Sequence, residues 1–157
     1  MIKVSSPGNA KHYVCTVTYT TQNPGTNSIL CTIDFSKSSY EALQWAVQLA
    51  RQLNAHITIL YTYRLIQYRA GEALQLKRDI EATATHQFAL LEKELLADAG
   101  VSYDFKMEIG FIADRVGDFA RKHTLNFLIT NKSLQTNGRE SLDELIELVH
   151  VPLLVVP

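Results

Sequence analysis

The chain has 157 residues, of which 46% are hydrophobic and 20% charged, so it can build one domain with a substantial core but not two full domains. Fifteen Lys and Arg against sixteen Asp and Glu give a net charge of −1. The basic excess that drives binding to a phosphate backbone is therefore lacking. We expect a single globular domain with no nucleic-acid partner.

The chain shows no sign of membrane insertion, secretion or metal binding. It has no apolar run of about 18 residues, and its first residues lack the apolar stretch of a secretory signal. Cys15 and Cys31 match no metal or redox spacing, and neither do the five histidines. We therefore expect a cytoplasmic protein with no membrane partner and no metal site, and Cys31 as a small buried thiol.

Residues 1–28 differ in pattern from the remainder. Turn formers such as Pro7-Gly8 and Asn23-Pro24-Gly25 flank a β-rich run, His12 to Thr21, in which side chains alternate with a period of two. This pattern predicts an N-terminal arm or added strand. It leaves open whether the arm pairs with its own sheet edge, crosses to a partner chain or is disordered.

Residues 29–157 alternate between strand and helix patterns, beginning with a buried strand at Ile29 to Ile33. Ser38-Ser39-Tyr40-Glu41 has the spacing of a capping box and predicts the start of the first helix there, with Asn54 as its end. His56 to Tyr63 follows as a second strand. A long second helix then carries apolar residues at steps of three and four until Gly100, which is suited to end it.

The second half of the chain continues the alternation. Tyr103 to Ile109 is predicted as the third strand, a helix with an apolar stripe follows from Ile112, and Asn126 to Thr130 is the fourth strand. Ser141 begins a second capping-box spacing before a fourth helix, and Pro152 to Pro157 is the fifth strand. Strands that alternate with helices predict an open, doubly wound α/β fold with parallel strands, whose ligands bind beyond the carboxyl ends of the strands.

Several catalytic and nucleotide-binding signatures are absent. The sequence contains no G-x-G-x-x-G, no G-x-x-x-x-G-K-[ST] and no G-x-S-x-G, which excludes dinucleotide-binding, P-loop and α/β-hydrolase motifs. We predict no catalytic residues. A cluster of aromatic and basic residues has two interpretations, stacking on a base or packing at a helix start or subunit contact; it comprises Tyr61, Tyr63, Arg64, Tyr68 and Arg69.

Three segments together resemble the universal stress protein family. They are Ile29 to Ser36 with the helix after it, Ile57 to Tyr61, and Val151 to Val156, and Gly110 after the third strand fits as well. The resemblance covers nearly all of residues 29–157. It implies a five-stranded parallel sheet in the order 3-2-1-4-5, a dimer, and, in the ATP-binding branch of the family, adenosine held near the ends of the first, second and fourth strands.

The resemblance also implies candidate nucleotide-binding residues. Asp34 matches the acidic residue at the adenosine end, and Thr62 matches a residue beside the adenine. The ATP-binding branch carries G-x-x-G, about nine residues and then G-[ST], which holds phosphates at a helix N-terminus. Here Asn131 and Leu134 occupy both glycine positions. The candidate set is completed by Asn131, Lys132, and Gly138 and Ser141 as a displaced remnant of the phosphate loop.

These features predict a non-enzymatic stress-response or regulatory domain with weak or no ATP binding and no cofactor. The alternative is an adenine-nucleotide binder, with ATP or AMP, that uses a rearranged loop from Lys132 to Ser141 and has at most weak ATPase activity. In either case we predict a homodimer joined through the apolar fifth strand, because an apolar edge with unpaired amides invites pairing; the contact residues are Leu153, Leu154, Val155 and Val156. A further protein partner is left open.

Overall fold

The computed structural model describes residues 27–65, 70–132 and 142–157, and its elements alternate as expected. The predicted arm therefore lies almost entirely outside the described residues, as do Gly138 and Ser141. In chain order the elements are β1 (Ser28–Ile33), α1 (Lys37–Leu53), β2 (His56–Tyr63), α2 (Ala70–Leu91), a π-helical segment (Glu92–Leu96), β3 (Ser102–Ile109), α3 (Ile112–Lys122), β4 (Phe127–Asn131), α4 (Leu142–Leu148) and β5 (Leu153–Val156).

The five strands form one sheet in the order β3-β2-β1-β4-β5, and every neighbouring pair is parallel. This confirms the predicted fold class and strand order. β1 is central, with Leu30 opposite Thr58 on β2 and Leu128 on β4. Because the strands are parallel, the carboxyl ends of β1, β2 and β4 meet at one edge, where ligands bind in folds of this type.

Alternation along the strands divides the core into two layers. Ile29, Ile57 and Ile129 belong to a buried cluster with α1 and α2, whereas Leu30 and Leu60 pack with α3 and α4 on the opposite face. Cys31 is fully buried in the first layer, as expected, and this burial raises the pKa of its thiol to about 12. A thiol of such high pKa is a poor nucleophile at neutral pH.

Helix α1 does not begin at the predicted capping box. Its N-cap is Ser36, which has extended backbone angles and whose Oγ accepts a hydrogen bond from the Ser39 amide at 3.2 Å. Ser38 and Glu41 instead lie inside the helix. The predicted helix end is confirmed, since Asn54 is the C-cap and adopts a φ of 50°.

Two glycines have positive φ angles that favour glycine over any other residue. Gly100 ends the turn after the π-helical segment with a φ of 68°, and the space around its Cα is open. Gly110, which links β3 to α3, has a φ of 137°, and a Cβ there would stand 3.2 Å from Nε of Arg115. The turn after β3 therefore depends on glycine for its backbone conformation, and a side chain there would also require Arg115 to shift slightly.

A polar network joins β2 to the edge strand β3. His56 Nε2 lies 2.8 Å from Asp104 Oδ1, the Thr58 hydroxyl donates to the same oxygen at 2.7 Å, and the Lys106 ammonium lies 3.8 Å from Oδ2. Burial raises the pKa of the Asp104 carboxyl, but these hydrogen bonds and the Lys106 charge outweigh it and hold that pKa below its usual value. The ionised carboxylate therefore stabilises the pairing of β2 with β3.

Candidate functional site

The loop after β1 folds back on itself through Asp34. The carboxylate oxygen Oδ1 of Asp34 accepts hydrogen bonds from both the backbone amide, at 2.9 Å, and the hydroxyl of Ser36. Phe35, between them, adopts a φ of 61°, which is rare for a residue with a side chain. Backbone strain of this kind persists where the surrounding structure imposes it, often at ligand sites.

Asn131, the last residue of β4, joins this loop to the neighbouring strand. Its side-chain amide is buried, with 2% of the residue exposed, and donates to Asp34 Oδ1 at 3.2 Å. The same nitrogen lies 3.2 Å from the Ser36 hydroxyl and 3.3 Å from that of Ser38. The prediction that Asp34 and Asn131 face one crevice is confirmed. We call these four residues, Asp34, Ser36, Ser38 and Asn131, the Asp34 cluster.

The strands that carry the cluster are fixed in register just before it. The buried hydroxyls of Thr32 on β1 and Thr130 on β4 form a hydrogen bond of 2.8 Å. A buried hydroxyl without a partner is costly, so this pairing favours one alignment of the two strand ends. It thereby holds Asp34 and Asn131 beside each other although they are far apart in the sequence.

An aromatic group lies on the α1/α2 side of the same sheet edge. The ring of Phe35 lies 5.0 Å from that of Tyr61, measured between centroids, and Tyr61 stacks on Tyr63 at 6.1 Å. The Tyr63 hydroxyl donates to Glu81 on α2. Burial, and to a lesser extent the negative charge of Asp34, raise the pKa of Tyr61. The loop that holds Asp34 thus also places an aromatic ring against β2.

A small surface cavity opens between Tyr61 and α2, at the boundary between the buried Ala84 and the exposed Asp79, Thr83 and Gln87. Its volume is about 240 Å³, and it is lined by Tyr61, Asp79, Ile80, Thr83, Ala84 and Gln87. We call it the α2 cavity. Its lining combines an aromatic ring and aliphatic groups with the polar side chains of Asp79, Thr83 and Gln87.

The structure brings together some of the predicted site residues but not all. Asp34 and Asn131 meet in the Asp34 cluster, and Lys132 follows directly as an exposed residue. Thr62 is separated from them, because the alternation of β2 sets it on the face of Leu60, opposite to Tyr61. Ser36 and Ser38 were missed by the sequence reasoning, although two hydroxyl residues at positions two and four after a carboxylate were a usable signal.

The side chains of this site can form hydrogen bonds to a ligand. A carboxylate and serine hydroxyls, arranged in a crevice, can receive the hydroxyl groups of a sugar. Within the residues that the structure describes, no three His, Cys, Asp or Glu side chains are grouped to hold a metal ion. No helix in that same part of the chain is long and apolar enough to cross a membrane.

Together, the sheet order and the crevice at the ends of β1 and β4 define an open parallel α/β domain with a crevice where the strand order reverses, which is where ligands bind in folds of this type. The model of the Universal stress protein family matches residues 25–157, and the chain belongs to that family. Among curated proteins, none matches the chain.

Solved structures share the fold of this chain. A universal stress protein UspA from Lactobacillus plantarum superposes with a TM-score of 0.72 at 16% identity, covering 86% of this chain and 100% of that one. A family member from Arabidopsis thaliana with AMP bound superposes with a TM-score of 0.59 at 13% identity, covering 83% of this chain and 90% of that one. One from Archaeoglobus fulgidus in complex with dAMP gives 0.57 at 12% identity, covering 85% and 98%.

Proposed function

We propose that this chain is a cytoplasmic, non-enzymatic, homodimeric regulatory module whose crevice takes the adenosine end of an adenine nucleotide and holds the triphosphate of ATP weakly. The AMP and dAMP bound to the two relatives named above support an adenosine site in this fold. Asp34 and the serine hydroxyls supply groups that suit a ribose. The domain would then act by binding the nucleotide and not by catalysing a reaction.

The observation that carries the proposal is the buried amide of Asn131. Its two N–H groups are directed to Asp34, Ser36 and Ser38, so they are not available to a phosphate oxygen. The Asp34 carboxylate adds a negative charge to the same crevice, which opposes a polyphosphate. The crevice therefore favours a neutral, hydroxyl-bearing group over a highly charged one.

The two edges of the sheet differ in a way that favours dimerisation through β5. Edge strand β3 carries Asp104, Lys106 and Glu108 at alternate positions, and charges on an edge strand oppose pairing with another chain. Edge strand β5 has the sequence Leu-Leu-Val-Val, and Leu154 is 39% exposed. Pairing of β5 with its symmetry-related copy would cover this apolar edge with a two-fold contact. The alternative is that residues 1–26 of the same chain cover the β5 edge in place of a second copy.

Two measurements test this proposal. Sedimentation equilibrium of the full chain at tens of micromolar should give twice the monomer mass, and a monomer would contradict the dimer. Mass spectrometry of small molecules released on denaturation should detect AMP or adenosine in preference to ATP. Release of stoichiometric ATP would contradict the weak triphosphate site.

A second candidate is the nucleotide binder with a rearranged phosphate loop. Lys132 is exposed directly after Asn131, at the rim of the crevice, and its ammonium could offset phosphate charge. In that case Lys132→Ala should weaken ATP binding much more than AMP binding. Under the main proposal, Lys132→Ala should change the affinities for ATP and AMP equally.

A further inference from the structure

Helix α1 carries an exposed tryptophan on its flank toward β5. Trp45 is the only tryptophan in the sequence, and 54% of it is exposed. The opposite flank of α1 contacts the segment after α2, since the Tyr40 hydroxyl donates to Glu94 and Nε of Arg51 donates to the Ala99 carbonyl. At about 100° per residue, Trp45 lies about 120–140° around the helix from Tyr40 and Arg51. It therefore lies on the flank toward β4 and β5.

Leu154 on β5 lies on the same face of the sheet as α1. It is opposite Ile129 of β4 and two residues before Val156, and both of these belong to the core layer under α1. Leu49, one helical turn after Trp45, packs against that layer. Trp45 is near the middle of α1, and Ile129 is the middle residue of β4, so Trp45 and Leu154 lie at similar heights on the sheet. We call Trp45, Leu49 and Leu154 the α1–β5 surface.

Helix α4 presents another exposed apolar side chain on the opposite face of the sheet. Ile146 is 55% exposed. Its neighbour Leu148 lies against α3, where a Cβ built on Gly117 would stand 3.9 Å from it. Two residues along a helix are about 200° apart, so Ile146 lies on the side of α4 away from α3. That side faces the β5 edge, because α4 connects β4 to β5 and α3 packs on the central strands.

Pairing of β5 with a second copy gives only a small contact by itself. Its four residues, at about 3.3 Å each, form a strand about 13 Å long. A stable interface typically buries about 800 Å² of each partner and involves about 20–30 residues a side. Trp45 has on the order of 100 Å² of exposed surface to contribute. A dimer through β5 therefore needs apolar side chains beside the strand, and Trp45 and Ile146 are in position to supply them.

Two-fold symmetry brings the α1–β5 surfaces of two copies together. An axis that pairs β5 with its copy as antiparallel strands is perpendicular to the sheet, so both α1 helices lie on one face. Helix α1 packs mainly over β1 and β4, about two strand spacings from that axis, which sets the two helices roughly 19 Å apart. Helices in direct contact are about 8–10 Å apart. A groove about 10 Å wide therefore remains above Leu154, and two large side chains can fill it.

We propose that Trp45 of each copy fills this groove, lying over Leu154 and against the α1–β5 surface of the second copy, while Ile146 makes the corresponding contact on the other face. This inference rests on the proposed β5 dimer. It adds the side chains that give the contact its affinity, because central tryptophans carry a large share of the binding energy in many interfaces.

Fluorescence of the single tryptophan tests the position of Trp45. We expect its emission in the native dimer to lie at shorter wavelength, and to be quenched less by acrylamide, than in the monomer obtained by dilution or by Val155→Lys. The change should follow the dimer fraction that sedimentation equilibrium measures at the same concentrations.

Three lysine variants of the full chain test the energetic contribution. Trp45→Lys and Ile146→Lys should each raise the dissociation constant of the dimer about tenfold or more, because a charge enters the contact. Leu90→Lys is the matched control, since Leu90 is 59% exposed on α2, which packs at the opposite end of the sheet. It should stay within about twofold of the native chain. Far-ultraviolet circular dichroism checks that all three variants are folded.

The outcomes separate this inference from the dimer itself. If the native chain is a dimer but Trp45 stays as accessible as in the monomer, and Trp45→Lys dissociates it no more than Leu90→Lys, β5 pairs without these side chains and only this inference fails. If the native chain is a monomer with an accessible Trp45, the proposed dimer fails as well. A monomer in which Trp45 is shielded would also overturn both and would show that residues 1–26 cover the α1–β5 surface.

Discussion

Replacing Asn131 by aspartate would turn the buried donor of the Asp34 cluster into a second carboxylate. In the native chain the Asn131 amide nitrogen lies 3.2 Å from Oδ1 of Asp34. Coulomb's law with an effective dielectric constant of about 20 gives about 5 kcal/mol for two like charges at that distance. Because Asp34 is exposed, solvent screening reduces this penalty to about 2–3 kcal/mol.

Asn131→Ala is the matched variant, since it removes the same hydrogen bonds without adding a charge. Losing those bonds should cost ~1–2 kcal/mol in both variants. We therefore expect Asn131→Asp to have a free energy of unfolding about 2–3 kcal/mol lower than Asn131→Ala at pH 7. Repulsion raises the pKa of the new carboxyl, so its penalty is present above that raised pKa and is relieved as the pH falls through it.

Urea denaturation of the full chain, followed by far-ultraviolet circular dichroism at pH 7 and pH 4.5, measures both effects. The difference in free energy of unfolding between Asn131→Asp and Asn131→Ala should be large at pH 7 and smaller at pH 4.5. Equal stabilities at pH 7 would refute the close contact of Asn131 with Asp34, and so would a gap that does not change with pH.

Three further predictions concern the dimer, the polar network around Asp104 between β2 and β3, and the turn after β3. Val155→Lys should dissociate the dimer in sedimentation equilibrium, whereas Ile109→Lys, on the other edge strand, should leave it intact. Asp104→Asn should lower the free energy of unfolding at pH 7 by ~1–2 kcal/mol. Because folding lowers the pKa of Asp104, its carboxylate stabilises the fold above about pH 3.8. The difference in free energy of unfolding between Asp104→Asn and the native chain should therefore disappear as the pH falls below that value. Gly110→Ala should cost ~2–3 kcal/mol in thermal unfolding and Gly100→Ala only ~1 kcal/mol, because a residue with a side chain tolerates the φ of 68° at Gly100 better than the φ of 137° at Gly110, where the new Cβ would also press on Arg115. Equal costs would contradict this argument.

The sheet could be predicted from the sequence because its signals are strong and regular. Five apolar strands separated by helical patterns give parallel neighbours, and parallel strands bring their carboxyl ends to one edge. This reasoning placed Asp34 and Asn131 in one crevice, as the hydrogen bond between them confirms. The strand order itself came from the family resemblance, since alternation alone is compatible with several orders.

The details of the site were not predictable in the same way. Ser38 and Glu41 have the spacing of a capping box, and local sequence does not distinguish that box from a cap two residues earlier. The positive φ of Phe35 turns the chain so that Ser36 becomes the cap and joins the cluster instead. For Thr62, the resemblance gave a position on β2 but not the face of the sheet, which depends on the register of the strand.

The most direct test of the central claim compares ATP with AMP by calorimetric titration of the purified chain. If the crevice recognises the adenosine end and the buried amide of Asn131 contributes nothing to the phosphates, ATP should bind no more tightly than AMP, and both dissociation constants should lie well above the micromolar range. Micromolar ATP binding that is tenfold or more tighter than that of AMP, and is abolished by Ser141→Ala, would contradict the account and show that the phosphate loop is functional.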